Sequence, residues 1–144
     1  MKFFILPILV ILISTSTSFA SMKMRQCKQM ANWINKNGVF EYPEYTVTGV
    51  SCVPVGREAQ LLYGVTVKSK MREKLLDATE NENHSSRVRK KICTTPAMKE
   101  LWQNFFIGQN YYDESGVLLK QLTVDKNVCR QEIAAINTKK NRSW

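Results

Sequence analysis

The spacing of apolar residues changes several times along this chain, and each change marks a predicted element. Phe3 to Ile13 form a continuous apolar run that contains Pro7. Lys2 precedes the run, and a Ser/Thr-rich stretch follows it, ending Ser18-Phe19-Ala20. A bilayer-spanning helix needs roughly 20 apolar residues, about twice this run. A basic start, a short apolar core and small residues ahead of a cut after Ala20 instead predict a secretory signal peptide over residues 1–20. Beyond it, Cys27, Met30, Ala31 and Ile34 recur at helical spacing and predict an amphipathic helix over 22–37. Tyr45 to Val55 is rich in β-branched residues, and Leu61, Tyr63, Val65 and Val67 alternate. With Val55-Gly56-Arg57-Glu58 as the turn, these predict a first hairpin.

The period turns helical again from Lys70 to Leu76, whereas Asp77 to Ser86 is polar and reads as a loop or an exposed helical segment. Val88 and Ile92 mark a further helical piece. Thr95-Pro96 then restarts a helix as N-cap and first residue. Met98, Leu101, Trp102 and Phe105 form its apolar face, and Gly108 is the expected stop. Tyr111-Tyr112, the turn Asp113 to Gly116 and Val117 to Val124 predict a second hairpin. Leu118, Leu122 and Val124 are expected to face the core, with Lys120 discordant on the same side. Ile133 and Ile136 suggest a short terminal helix, followed by a basic tail at 139–144. Hairpins joined by helices predict an α+β fold: an antiparallel sheet of about four strands with helices packed on one face. The expected organisation is a signal peptide at 1–20, one domain at 21–138 and the tail.

Composition sharpens this picture. The chain has 144 residues and a formal charge of +9, and loss of the leader leaves 124 residues with a charge of +8. All four cysteines, Cys27, Cys52, Cys93 and Cys129, lie in that remainder. An even number in an exported chain favours disulfides. Three pairings are possible; Cys27–Cys52 and Cys93–Cys129 are favoured because each joins neighbouring elements of the layout. Zinc ligation by the four is the alternative, but the spacings of 25, 41 and 36 residues contain no C-x-x-C knuckle.

From Cys93 onward the chain reads Cys93-Thr-Thr-Pro, then Gly108-Gln-Asn-Tyr111-Tyr112-Asp113-Glu-Ser-Gly116, then Leu122-Thr-Val124 and Cys129. This rhythm resembles a group of small exported bacterial proteins in which a helical cysteine, a Tyr-x-Asp-like turn ending in glycine and a late cysteine recur. The resemblance covers the C-terminal two-thirds. It implies a cystatin-like or nuclear-transport-factor-like α+β shape and a Cys93–Cys129 bridge, and it carries no activity with it.

Chemistry is sparse. His84, the one histidine, sits in the polar stretch and is expected on the surface, away from any nucleophile. Paired acids could hydrolyse a glycoside, and Glu41, Glu44, Glu100, Asp113 and Glu114 are the candidates. No phosphate loop or metalloprotease motif is present, and no cofactor or metal is expected. Basic residues group at 68–74, at Arg87, Arg89, Lys90 and Lys91, and at 139–142. Together with outward aromatics from Phe106, Tyr111 and Tyr112, the second group forms the candidate binding residues. Nucleic acid is disfavoured because no aromatic platform interleaves with the charges. The expected function is therefore that of a non-catalytic periplasmic or secreted binding protein of inhibitor, immunity or envelope-assembly type, with a protein partner. The alternatives are a small acid-catalysed hydrolase of cell-wall polysaccharide and a basic module for anionic lipid or polymer.

Overall fold

The computed structural model describes residues 5–38 and 40–143, with side chains from residue 20 onward except that of Phe40. Met1 to Phe4 of the expected leader and Trp144 of the expected tail lie outside the described residues.

The β-branched segments form the centre of the fold. Strands β1 (Phe40–Glu41), β2 (Tyr45–Val55) and β3 (Glu58–Val67) are antiparallel neighbours. The β2–β3 turn is two residues long, with Gly56 at φ 60°. A left-handed first residue followed by a right-handed one matches the twist of the strands it joins. Helices α2 (Ser69–Leu76), α3 (Ala78–Thr94) and α4 (Pro96–Asn104) then carry the chain to β4 (Phe106–Tyr112) and β5 (Leu118–Val124). The sheet order is β1-β2-β3-β4-β5.

The α+β class and both hairpins are as expected, but the joint between the hairpins differs. β4 runs parallel to β3, with Leu61 beside Ile107 and Val65 beside Tyr111. The helical excursion returns the chain to the end of the sheet from which β3 started, which makes a parallel pair possible. Gly108 is likewise no helix stop. It lies within β4, where an added Cβ would fall 2.1 Å from the Gln60 side-chain nitrogen. The helix ends four residues earlier, at Asn104, and Phe105 is extended and buried. Leu118 is exposed rather than in the core, because the β4–β5 register shifts between Tyr111 and Tyr112.

The polar stretch from Asp77 to Ser86 is helical. The Asp77 carboxylate accepts from the Glu80 N–H at 2.9 Å and starts α3. Asp125 does the same for α5 (Lys126–Arg142), accepting from Asn127 and Val128 N–H. The expected tail is thus helical through Arg142. At the other end, α1 runs from Ile5 to Asn37, so the helix expected at 22 begins inside the expected leader. Among the described residues, no helix is long and apolar enough to cross a membrane.

Leu61, Ile107 and Val124 share one cross-sheet row and are fully buried. The helices pack on that face. On the other, the Gln60 side chain reaches Thr123 at an exposed position. Cys27 is bonded to Cys52 and Cys93 to Cys129, which ties α1 to β2 and α3 to α5.

Beyond its short pairing with β1, strand β2 is a sheet edge, and it is blunted. Asn35 on α1 donates to the Val50 C=O and accepts from its N–H, both at 2.8 Å, as a neighbouring strand would. Pro54 has no N–H to offer. Asn35→Ala is expected to cost about 1 kcal/mol, the typical net contribution of an intramolecular hydrogen bond that water can partly replace. Urea denaturation reads this out, and an unchanged midpoint would mean that water replaces the clamp.

Candidate functional site

Tyr111 faces the helices from the C-terminal end of β4, and two polar side chains meet over it. The His84 ring, from α3, stands edge-on to it at 5.1 Å between centroids. Lys120, paired with Tyr111 across the β4–β5 ladder, places its Nζ 5.9 Å from the tyrosine centroid. The same Nζ donates to the Asn81 C=O at 2.9 Å and lies 3.3 Å from His84 Nδ1. An ammonium has only donors, so Nδ1 must accept and the imidazole proton sits on Nε2. Burial, followed by the Lys120 and Arg87 charges, lowers the His84 pKa to about 4. His84 is therefore half-buried and neutral, where the polar sequence around it predicts a solvated residue. Burial also lowers the Lys120 pKa.

This group closes one end of a cavity of about 340 Å³ between the sheet and α3. Tyr42, Tyr45, Tyr63 and Tyr111 line it, with His84 and Lys91. Tyr42 and Tyr45 stack at 4.6 Å. Burial raises the pKa of Tyr45, Tyr63 and Tyr111, so all three keep their hydroxyl proton near neutrality. The Tyr111 hydroxyl donates to Gln109 Oε1. No Asp or Glu lines this cavity.

Tyr63 and Met98 also line a second hollow of about 490 Å³ between α1 and α4. Met30, Trp33 and Leu101 give that hollow an apolar wall, and Glu100 stands among its lining residues. The two hollows adjoin at Tyr63 and Met98, which stand in the walls of both, and the pair is referred to as the trough. Trp33 is 63% exposed at the outer end. A larger hollow of about 650 Å³ lies along the β2 edge, where Asn35 is engaged with Val50, the Thr48 hydroxyl with the Gly64 C=O and Asn110 with Tyr112.

Of the seven candidate binding residues, Lys91 and Tyr111 meet in the first lobe. Arg89 is engaged by Glu82 at 2.9 Å and by Glu132 at 3.6 Å. Arg87 and Lys90 are exposed on α3. Tyr112 projects to the face opposite Tyr111, where its hydroxyl accepts from Asn110. Phe106 lines a separate hollow beside Trp102 and Lys126. The candidate acids do not converge. Asp113 accepts from the Ser115 hydroxyl at 2.7 Å and from the Ser115 and Val117 N–H groups. These bonds, the hydroxyl first, hold its carboxyl below the usual range. Glu44 pairs with Lys74 at 3.3 Å, while Glu41, Glu100 and Glu114 are exposed. Among the described residues, no cluster of three or more His, Cys, Asp or Glu is placed to hold a metal.

No protein-family profile matches the chain, and no curated protein does. Two solved structures share its fold. A predicted secreted protein of Pseudomonas aeruginosa superposes with TM-score 0.58 at 12% identity, covering 74% of this chain and 96% of its own. The pilotin EpsS of the Vibrio vulnificus type 2 secretion system superposes with TM-score 0.55 at 15% identity, covering 76% and 96%. At such identities the likeness is one of fold.

The single histidine makes its titration easy to follow. NMR of the ring protons is expected to show His84 titrating near pH 4. The unfolded chain takes up its proton near pH 6.5, the folded chain near 4. Stability contributed by the neutral ring is thus complete above pH 6.5 and declines as pH falls to 4. His84→Gln should flatten that part of the stability profile. A histidine titrating near 6.5 would contradict the buried geometry.

Proposed function

We propose that this protein is an exported, non-catalytic binding protein of envelope-assembly type, which holds a segment of a partner protein in the trough. The observation that carries this reading is the trough itself: an open concave surface of tyrosines, methionines and an exposed tryptophan, the residue types that anchor protein interfaces. An acid-catalysed hydrolase needs two carboxylates facing one another across a gap. The lining of the tyrosine lobe offers none, and Asp113 and Glu44 are already engaged.

Export is read from two features. The leader is cut after Ala20, so the working protein starts inside α1, ahead of Cys27. Two disulfides suit an oxidising compartment such as the periplasm or the exterior. The shared fold of a secretion-system pilotin and a predicted secreted protein supports the same setting.

Site-specific photo-crosslinking in producing cells tests this. A benzoylphenylalanine at Ala97, beside the Trp33 lobe, is expected to give a discrete protein adduct. The same group at Thr123, on the uncovered sheet face, is expected to give none. Equal labelling from both positions, or none from Ala97, would overturn the proposal.

A further inference from the structure

The trough is asymmetric in charge. At the tyrosine end every hydrogen-bonding side chain lining the cavity is neutral or cationic: Lys91, His84, the tyrosine hydroxyls, Thr95 and Gln109. His84 Nδ1 is taken up by Lys120, which leaves Nε2–H as the ring's donor on a residue that lines the cavity. Lys120 and Arg87 add positive potential around the ring. A carboxylate entering there meets Lys91 and the His84 ring, and no acid among the lining residues, although Glu44 stands near Tyr45 and Glu82 near Lys120. A cation meets like charge in a partly desolvated wall, which is costly. The far lobe is the reverse, with an apolar wall of Met30, Trp33, Met98 and Leu101 and one acid, Glu100.

We infer that the trough selects a partner segment with carboxylates at one end and large apolar side chains at the other. The acidic end lies against Lys91, His84 and Tyr111, and the apolar end fills the lobe beside Trp33. This inference rests on the reading of the trough as the partner site and gives that partner its chemistry. The opposite character of two adjoining hollows, one rich in donors and one apolar with an acid, commits the occupant to a polypeptide long enough to touch both. Tyr63 and Met98 stand in the walls of both hollows, so a peptide laid over them reaches both, whereas a small acid would occupy the tyrosine lobe alone. Glu100 repels an acidic residue at the outer end and so gives the segment a direction.

Fluorescence anisotropy on the purified protein tests this with three short rhodamine-labelled peptides. They share one leucine and tryptophan pattern and carry a flank of glutamates, glutamines or lysines. The glutamate peptide is expected to bind on the order of tenfold more tightly than the lysine peptide. Lys91→Glu, checked for folding by circular dichroism, should remove or reverse that order. Lys70→Glu changes net charge equally from α2, outside the trough, and should leave the order in place. Equal loss with Lys70→Glu would reduce the effect to bulk charge and overturn the inference. Complete displacement of the peptide by decanoate at similar concentration would assign the site to small acids and overturn it as well. If all three peptides bind alike and Ala97→Trp blocks them, the partner-site reading stands and the charge inference falls. If none binds and the crosslinker at Ala97 captures nothing, both fall.

Discussion

Two covalent pins set the geometry on which everything else rests. One bridge fastens α1 to β2, and the other fastens α3 to α5, on the same face of one sheet. Between these helical groups lies the trough. An apolar gap inside a domain ordinarily closes, because packing contacts are lost around it and walls relax inward. Here Asn35 adds a polar clamp to the bridge that holds α1, and the Lys23–Glu58 pair adds an ionic one. Closure must strain or break these links. By chain entropy a bridge over loops of this size contributes roughly 3–4 kcal/mol.

The opposite wall is held differently. The first half of α3 has almost no apolar anchor, and its docking relies on polar contacts. Ser85 is buried and bonds back to the Asn81 C=O, which also receives the Lys120 ammonium from β5. The Asn81 amide caps the Leu75 C=O at the end of α2. His84 completes this seam as a neutral ring, since burial first and then the neighbouring Lys120 and Arg87 charges disfavour a further positive charge there. The contacts that seat α3 thus also make the tyrosine end of the trough a wall of donors. On the proposed reading, structural satisfaction and ligand preference come from the same atoms.

What could be read from the residues follows from which signals are local. The α+β class, the Gly56 turn and the helix start at Pro96 were legible, because period, turn chemistry and the fixed φ of proline act over a few positions; Thr95 stands at the N-cap position, but its hydroxyl donates back to the Lys91 C=O instead of capping α4. Strand direction is not local. An alternating run reads the same in a parallel or an antiparallel pair, so the β3–β4 joint was invisible. Gly108 looked like punctuation and is a point of close approach to Gln60. His84 looked solvated because its partners, Tyr111 and Lys120, come from strands far along the chain. The one visible clue was Lys120 itself, a lysine among the inward positions of β5, which implied an acceptor buried beneath it. Tyr63 and Met98 read as ordinary core residues, and nothing in their spacing marks the trough they share.

The decisive question is whether the trough is a surface built for occupancy or simply an imperfectly filled core. Trp33 separates the two, because it is largely exposed and reaches only the trough rim. Measuring Trp33→Ala for both its urea midpoint and its binding of the glutamate-flanked peptide tests this directly. An unchanged midpoint with binding weakened on the order of tenfold or more is the predicted result. A lowered midpoint with binding intact would mean that the tryptophan serves the fold and the trough holds no partner.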